Sequence, residues 1–542
     1  MHNMKTKLFE TLASGLVDNG VTTLFGLMGD ANLFMVDSFR QQTGTRFVAA
    51  VHEGSAVGMA QGFSWVTGGV GVATITHGPA LTNCVTALTD AVRARAPIVL
   101  LAGDTPADNP AHLQNTDQRA VADLCGAGFE QMRAPHTALA DLARAFYRAQ
   151  AESRPIVLNM PADFMWAEVD YTRTVHPVFE TLAPAPEGAV LDEAIGMIAS
   201  ARRPLILAGR GAIQARDALI TLADRLEAPL ATTLKAKGLF AGHPHCIDIC
   251  GTLSTPAGYE AIAKADCIVA FGASLTEWTT DHGKLFKGKR VVQVYRDTGS
   301  IGGSLHPDAA LIADAAVTAQ NIHYWLDEAE IAPSGFTREL DAATLRAHEP
   351  AAPRKRAPGT VSYVEALTWL NEILPENRIL ATDGGRFMTE VWCRLDVAHP
   401  RDFIDTTNFG SIGLGLQAAL GACVADPKRP VTLFTGDGGF MMGGLAEFNT
   451  AVREKLDLIV VICNDAAYGA EHIQFLDKQM DPQASTFDWP SFAAVAHSLG
   501  AEGVDVAGPE DLQAAAKAIA ERKGPLLIDL HLDPFDVPRM RV

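Results

Sequence analysis

Two apolar runs that each end in polar residues constrain the fold of this chain more than any other feature. The first run, Val431 to Thr435, precedes Gly436-Asp437-Gly438, and the second, Leu458 to Cys463, precedes Asn464-Asp465. The amphipathic stretch between them predicts a helix, so the segment is a strand–helix–strand unit. In such a unit the strands run parallel, and their carboxyl ends meet where open α/β sheets bind ligands.

Asp437 and Asn464 therefore come together at one edge of the predicted sheet. A carboxylate and an amide oxygen suit a hard cation such as Mg²⁺, which completes its coordination shell with phosphate oxygens and water. The helix after Gly438 begins with free backbone N–H groups that can bind an anion. The sequence thus predicts a metal–diphosphate site, whereas Asp-Gly on its own indicates only a turn.

Alternating helical and strand patterns continue along all 542 residues and predict an α/β fold with three doubly wound parallel-sheet domains. We place these domains at residues 1–172, 189–335 and 360–542. The linkers between them are rich in Pro and are predicted at Tyr171–Gly188 and Ala351–Thr360.

The charge and the hydropathy pattern exclude several classes of protein. A net charge of −19 argues against nucleic acid or an anionic membrane as the main partner, although a metal and backbone amides can attract an anionic cofactor locally. The chain opens with a predicted amphipathic helix, Lys5 to Asn19, and no apolar run reaches the ~18 residues of a transmembrane segment. The eight cysteines are scattered, several within apolar runs, which predicts buried free thiols and a cytoplasmic protein.

The segment from Gly436 to Asn464 resembles the diphosphate-binding motif of thiamine-diphosphate enzymes, in which Gly-Asp-Gly is followed after about 25 residues by Asn. This family includes acetohydroxyacid synthase, pyruvate and benzoylformate decarboxylases, and benzaldehyde lyase. The three predicted domains match its pyrimidine-binding, central and diphosphate-binding layout, so the resemblance covers nearly the whole chain. It implies thiamine diphosphate and Mg²⁺ as cofactors.

The resemblance implies a role for each residue near this motif. Asp437 and Asn464 would bind Mg²⁺ through their side chains, and Ala466 through its backbone carbonyl. Ile412 would lie under the thiazolium ring and bend the cofactor, and the alternative is a core residue in a Gly-rich loop. Asp465 stands where a second Asn is common. The other residues implied to contact the cofactor are Gly385, Gly410, Ser411, Gly436, Gly438, Gly439, Tyr468 and Gly469.

Glu53 lies in a His-Glu segment similar to the one that carries the family's catalytic glutamate. In the family this glutamate contacts N1′ of the cofactor pyrimidine and helps to deprotonate the weakly acidic C2 of the thiazolium ring. The alternative is a glutamate that stabilises a helix N-terminus. Because Glu53 and Asp437 lie in different domains, and the family builds its cofactor site from two subunits, the resemblance implies a homodimer or homotetramer.

Three further residues are candidates for catalysis by this resemblance. His77 lies near the position of an active-site His in benzoylformate decarboxylase, and Gln114 lies in a segment similar to one with an active-site Gln. Glu471 matches a glutamate that points at the substrate in pyruvate decarboxylase-like members. The alternatives are a His packed over a Gly-Pro turn and a Glu that complements a helix dipole.

Together these residues imply an enzyme that cleaves or forms the C–C bond next to the carbonyl of a 2-oxo acid or 2-hydroxy ketone. It would be a decarboxylase, an aldehyde lyase or an acetolactate synthase-type carboligase. The segment Gly272 to Trp278 lacks both arginines of the corresponding acetohydroxyacid synthase segment, and Gly209-Arg210-Gly211 replaces a Gly-Gly-Gly turn, which argues against FAD and that synthase. A catalytically silent cofactor-binding scaffold is the alternative from another class, and intact Glu53, Asp437 and Asn464 argue against it.

Overall fold

The computed structural model describes residues 5–177, 184–302, 304–350 and 355–539. Residues 178–183 and 351–354 of the predicted linkers, and the outermost residues of the first and third predicted domains, lie outside these ranges. Three six-stranded parallel sheets, each flanked by helices, confirm the predicted α/β class with three doubly wound domains. None of the helices in the described ranges is long and apolar enough to cross a bilayer.

The N-terminal domain has its strands in the order β3-β2-β4-β5-β7-β6, and β1 pairs separately with β8 in an antiparallel ribbon. The predicted first helix was wrong at its start, because Lys5–Lys7 extend to pair with Glu168–Asp170 and the helix begins at Leu8. The strands are β1 Lys5–Lys7, β2 Thr23–Gly26, β3 Arg46–Ala49, β4 Gly71–Ile75, β5 Ile98–Asp104, β6 Gly128–Gln131, β7 Ile156–Pro161 and β8 Glu168–Asp170. The helices are Leu8–Asp18, Leu33–Arg40, Glu53–Thr67, Pro79–Thr82, Val85–Arg93, Gln118–Cys125 and Ala138–Glu152.

The central domain has the strand order β11-β10-β9-β12-β13-β14, which winds outward from β9 in both directions. Its switch point therefore lies between β9 and β12. The strands are β9 Pro204–Ala208, β10 Leu230–Thr232, β11 Cys246–Ile249, β12 Cys267–Phe271, β13 Arg290–Tyr295 and β14 Ala309–Ile312. The main helices are Ala189–Ala199, Arg216–Leu226, Pro256–Lys264, Glu277–Thr280 and Ala315–Glu328.

The C-terminal domain repeats the topology of the N-terminal domain, with the order β16-β15-β17-β18-β20-β19. The order in which strands are added to the sheet reverses between β15 and β17, so the carboxyl ends of these strands are the expected ligand-binding edge. The strands are β15 Ile379–Thr382, β16 Phe403–Asp405, β17 Val431–Gly436, β18 Leu458–Asn464, β19 Glu502–Val506 and β20 Leu526–His531. The helices are Tyr363–Ile373, Met388–Arg394, Gly415–Ala425, Phe448–Glu454, Gly469–Asp477, Phe492–Ser498 and Asp511–Glu521.

The helix predicted after Gly438 is not continuous. A single helical turn, Asp437–Gly439, passes into a π-helical turn, Phe440–Gly444, and a regular helix follows only at Phe448–Glu454. Glycine weakens a helix, and here the Gly443 backbone packs so closely against the Gly413 carbonyl that no Cβ would fit. Such π-helical turns are frequent at functional sites.

The N-terminal and C-terminal domains share one hydrophobic core. The helix Glu53–Thr67 packs along the helix Gly415–Ala425, and glycines on both helices let their backbones approach closely. A Cβ at Gly62 would lie 3.0 Å from the Ala418 Cα, and one at Gly421 would lie 2.9 Å from the Met59 Cα. All eight cysteines are buried and free, which confirms the prediction for them.

We predict that Gly62→Ala destabilises the protein by about 1–3 kcal/mol, the usual cost of overpacking a filled core. The new Cβ would meet the Ala418 backbone rather than a flexible side chain, so the two helices would have to separate. Urea unfolding followed by circular dichroism measures this change.

The matched control is Gly196→Ala, on an exposed face of the helix Ala189–Ala199, where a Cβ meets no atom within 4 Å. Removing this helical glycine is expected to stabilise the protein by about 0.4–1 kcal/mol. Similar effects of the two substitutions would contradict a special role for the Gly62 contact.

Candidate active site

A cavity of about 730 Å³ lies between the central and C-terminal domains. Its walls come from the loops that follow β15 and β17, from the loop after β16, and from the loops that follow β9 and β12 of the central domain. The cavity therefore includes the switch points of two sheets. Its volume is within the range of pockets that enclose a small ligand or cofactor.

The Asp383 carboxylate, at the end of β15, connects the loops after β15 and β16 with strand β17. It accepts hydrogen bonds from the backbone N–H of Gly384 (2.8 Å), Gly413 (2.9 Å) and Leu414 (3.3 Å), and from the Thr435 hydroxyl (3.1 Å). Burial raises the pKa of the Asp383 carboxyl to about 6, while these donors act in the opposite direction. Gly385 of this segment was predicted as a cofactor contact but Asp383 was missed, although a polar residue that ends an apolar strand before Gly-Gly was a usable signal.

Hydrogen bonds hold the two predicted metal-binding side chains in place. Asp437 accepts from its neighbour Gly438 N–H (2.8 Å) through Oδ1 and from the Trp489 indole N–H (2.9 Å) through Oδ2. The Asn464 amide donates to Asp529 Oδ1 (2.9 Å), which determines the direction of its carbonyl oxygen. Trp489 and Asp529 were not predicted, because their role depends on contacts between distant parts of the chain.

Two buried carboxylates, Asp437 and Asp465, line the cavity at this point with no basic partner. Their residues are 2% and 7% exposed, and neither forms an ion pair with any Lys, Arg or His in the part of the chain that the structure describes. Burial raises the pKa of both groups, the Asp437 charge raises the pKa of Asp465 further, and the Arg386 charge lowers it. A divalent cation would compensate this charge, so the donor set fits a hard metal such as Mg²⁺.

The backbone beside these carboxylates forms a narrow cradle. A Cβ at Gly438 would enter the Tyr468 ring, and a Cβ at Gly439 would lie 2.8 Å from Asp383 Oδ2. A larger residue would therefore displace these groups, and the two glycines let the backbone approach an anion such as a diphosphate closely.

Most of the cofactor-binding residues predicted in the C-terminal domain line this cavity, as does Glu471, whose side chain is exposed there. Ile412 lies half-buried on the loop between β16 and the helix Gly415–Ala425, next to Gly413 with its positive φ of 84°. Three predicted residues are adjacent in sequence to residues of the wall but do not line it themselves, namely Ser411, Asn464 and Ala466. The predicted residues that line it are Gly385, Gly410, Ile412, Gly436, Asp437, Gly438, Gly439, Tyr468, Gly469 and Glu471.

The catalytic residues predicted in the N-terminal domain form a separate group at the carboxyl edge of its sheet. Glu53 begins the helix after β3 and accepts a hydrogen bond from the Asn83 amide (3.0 Å). His77 follows β4 and is 4% exposed, and its ring contacts that of His112 with 5.4 Å between centroids. Gln114 is next to both, because its backbone N–H donates to His112 Nδ1 (3.2 Å).

Neither Glu53, His77 nor Gln114 lines the cavity of the same chain. Within one chain, the site residues predicted in the C-terminal domain lie together, and so do those predicted in the N-terminal domain. The two groups do not share a pocket. His112 was missed by the sequence analysis, and its only signal was proximity to Gln114 in the chain. Burial and the neighbouring His112 lower the pKa of His77, so its imidazole is neutral at pH 7.

Comparison with family models gives three consecutive matches. Residues 6–123 match the thiamine pyrophosphate enzyme N-terminal TPP binding domain, residues 191–322 its central domain, and residues 383–530 its C-terminal TPP binding domain. The C-terminal match begins at Asp383 and includes Asp437, Gly438, Gly439 and Asn464.

Relatives with assigned names align with almost the whole chain. The sulfoacetaldehyde acetyltransferase of Castellaniella defragrans is 29% identical, over 94% of this chain and 89% of its own length. The acetolactate synthase isozyme 1 large subunit of Escherichia coli (strain K12) is 28% identical, over 97% and 93%. A probable 2-ketoarginine decarboxylase of Pseudomonas aeruginosa is also 28% identical, over 96% and 93%. Since the three domain matches follow one another in the order of the three sheets, the chain belongs to the family of thiamine-pyrophosphate-dependent enzymes.

Proposed function

We propose that this protein uses thiamine diphosphate and Mg²⁺ to cleave or form the C–C bond next to the carbonyl of a 2-oxo acid or 2-hydroxy ketone. The observation that carries this proposal is that Asp437 and Asp465, the backbone of Gly438 and Gly439, and Ile412 line one cavity. The two buried carboxylates have no ion-pair partner and favour a cation, and the glycine backbone beside them can approach an anion closely. A metal-bound diphosphate fits both features.

The predicted site residues would have two roles, metal binding and proton transfer. Asp437 and Asn464 would hold the metal with their side-chain oxygens, and Ala466 with its carbonyl. Thiamine diphosphate, when bound, supplies a carbon nucleophile and an electron sink for the bond that breaks. Glu53 would hold a proton at the cofactor pyrimidine, and His77, Gln114 and Glu471 would donate or accept protons on the substrate.

The type of reaction remains a choice between decarboxylation, aldehyde release and acetolactate synthase-type carboligation. The relatives are named as an acetyltransferase, a synthase and a decarboxylase, so they support the common chemistry rather than one outcome. A panel of 2-oxo acids with added cofactor and Mg²⁺, in which CO₂ and acyloin are scored separately, distinguishes them. An absorbance spectrum of the purified protein tests the expectation that it holds no FAD.

We further propose that the active form is a homodimer or homotetramer in the cytoplasm. Glu53, His77 and Gln114 line no part of the cavity of their own chain, so a second subunit would supply them. Exposed apolar side chains next to both halves of the site support a contact there, among them Val51, Leu113 and Met442. Sedimentation of a fully active monomer would refute this assembly.

We predict that Glu53→Gln lowers turnover by about 10²–10⁴-fold, the usual contribution of a positioned acid–base group. Gln has the shape of Glu but cannot exchange a proton, so binding of thiamine diphosphate, followed by calorimetry, should change little. The control is Glu365→Gln, which alters another first-turn glutamate on the exposed face of a helix. Undiminished turnover of the Glu53 variant would remove it from the mechanism.

Trp489→Phe is expected to weaken Mg²⁺ binding by about 10–100-fold, as loss of a hydrogen bond to a metal ligand does elsewhere. The ring stacks on Phe487 (4.8 Å between centroids), and Phe preserves this contact while removing the N–H donated to Asp437. The measurement is a Mg²⁺ titration of cofactor binding by calorimetry, with kcat at saturating Mg²⁺ expected to be nearly unchanged. Trp166→Phe, in the N-terminal domain, is the control, and an equal response of both variants would contradict the role of Trp489.

For His77 we predict an ionisation below pH 6.5 in the profile of kcat/KM. Burial and His112 lower the pKa of His77, so the neutral ring predominates at pH 7 and is lost as the pH falls through this value. His77→Asn should remove this limb of the profile, whereas His136→Asn, at an exposed position, should retain it. An unchanged limb in the His77 variant would assign the ionisation to another group.

A further inference from the structure

Three arginines line the cavity without an acidic partner in the described part of the chain, and two of them, Arg93 and Arg210, have donors left over for a ligand. Arg93 is the last residue of the helix Val85–Arg93 in the N-terminal domain, and Arg210 follows β9 in the central domain. Arg210 donates one hydrogen bond to the Ala94 carbonyl, which brings it next to the turn that carries Arg93. Neither guanidinium has a carboxylate within ion-pair distance among the residues that the structure describes.

The other cations of the cavity are already paired. Lys235 contacts Asp405 Oδ2 (2.6 Å) and the Asn408 side chain (2.7 Å). Arg386 donates to backbone carbonyls of the C-terminal segment, including that of Pro534 (2.6 Å). Arg93 and Arg210 are therefore the two cationic groups of this wall whose donors remain free for a ligand.

The position of Arg93 connects this pair to the predicted reaction centre. Its guanidinium carbon lies 4.5 Å from the centroid of the Phe409 ring, and Phe409 belongs to the loop that carries Ile412. Stacking on an aromatic face orients the planar guanidinium and leaves its edge N–H groups directed away from the ring. Guanidinium groups held in this way bind carboxylate, sulfonate and phosphate oxygens in a bidentate manner.

A nucleotide is a less suitable source of the anion, although Arg210 lies at the switch point of the central sheet. Gly209 and Gly211, the glycines of this loop, pack against the Gly272 backbone, where a Cβ would have no space. Their small size therefore serves the contact between the loops after β9 and β12, and does not open the backbone to a diphosphate. The residues that follow form only a 3₁₀-helix, Arg210–Ala215, instead of a regular helix with an open N-terminus.

We propose that Arg93 and Arg210 form an oxyanion subsite that recognises a second anionic group on the substrate or co-substrate, a carboxylate, sulfonate or phosphate, in addition to the group that reacts. This inference rests on the proposed function only in placing the reaction in the same cavity. The substrate class it indicates is a 2-oxo acid with an anionic far end, or a pair of substrates of which the acceptor is an oxyanion.

The test is calorimetric titration of the protein loaded with thiamine diphosphate and Mg²⁺. The probes are inorganic phosphate, ADP, 2-oxoglutarate and 2-oxopentanoate, the last two differing only in the anionic far end. Phosphate and 2-oxoglutarate should bind the wild-type protein, and 2-oxoglutarate should bind about tenfold or more tightly than 2-oxopentanoate, the value of one charge-assisted hydrogen bond. Arg93→Met and Arg210→Met should each abolish this preference, and Arg93→Lys should restore part of it.

Arg95→Met is the matched control, because Arg95 is two residues away but pairs with Asp297 (3.2 Å) and does not line the cavity. If ADP displaces phosphate, and ADP binding is lost in both arginine variants, the subsite is supported and the anion that it binds is that of a nucleotide. Wild-type binding of phosphate by the Arg93 variant, or no saturable binding of any anionic probe, overturns the subsite. Failure of the protein to bind thiamine diphosphate is a separate result, which instead overturns the proposed function.

Discussion

The buried Asp383 carboxylate is the interaction on which the shape of the cavity depends. At a switch point the neighbouring strands β15 and β17 send their loops in different directions, which leaves backbone N–H groups without strand partners. Asp383 accepts from three such backbone donors on two loops, and from the Thr435 hydroxyl on β17. Hydrogen bonds to a charged group contribute roughly 1.5–3 kcal/mol each, enough to hold the Gly410–Gly413 loop against the glycine cradle. The position of the loop that carries Ile412, relative to the end of β17, thus depends on the Asp383 side chain.

The N-terminal and C-terminal domains have the same strand order but carry different chemistry. One ends its strands in Glu53 and His77, and the other in Asp437 and Asn464. The glycine contacts between the helices Glu53–Thr67 and Gly415–Ala425 hold the two domains of one chain in a fixed relation. This packing directs the two sets of residues to separate surfaces, which is why the proposed assembly takes the N-terminal set from a second copy of the chain.

The features that the sequence revealed are those encoded locally. The apolar runs that became β17 and β18 had clear ends, and the residues after them lie at the expected edge of the sheet. The supporting residues Trp489 and Asp529 gave no local signal, because each contacts its partner across more than fifty positions of the chain. The π-helical turn Phe440–Gly444 was missed for a similar reason, since the close approach of Gly413 is a tertiary constraint that overrides the amphipathic pattern.

The cavity has acidic and basic groups on different walls, although the chain as a whole is acidic. The protein as a whole is strongly acidic, yet the cavity has uncompensated carboxylates on one wall and uncompensated guanidinium groups on another. The two buried carboxylates are costly without a partner, whereas the exposed Arg93 and the half-buried Arg210 have donors free for a ligand. A ligand that fits both walls therefore presents a cation to Asp437 and Asp465 and an anion to the two arginines. Under the proposed function the metal-bound cofactor would meet the first requirement, and the second would fall to the molecule on which the cofactor acts.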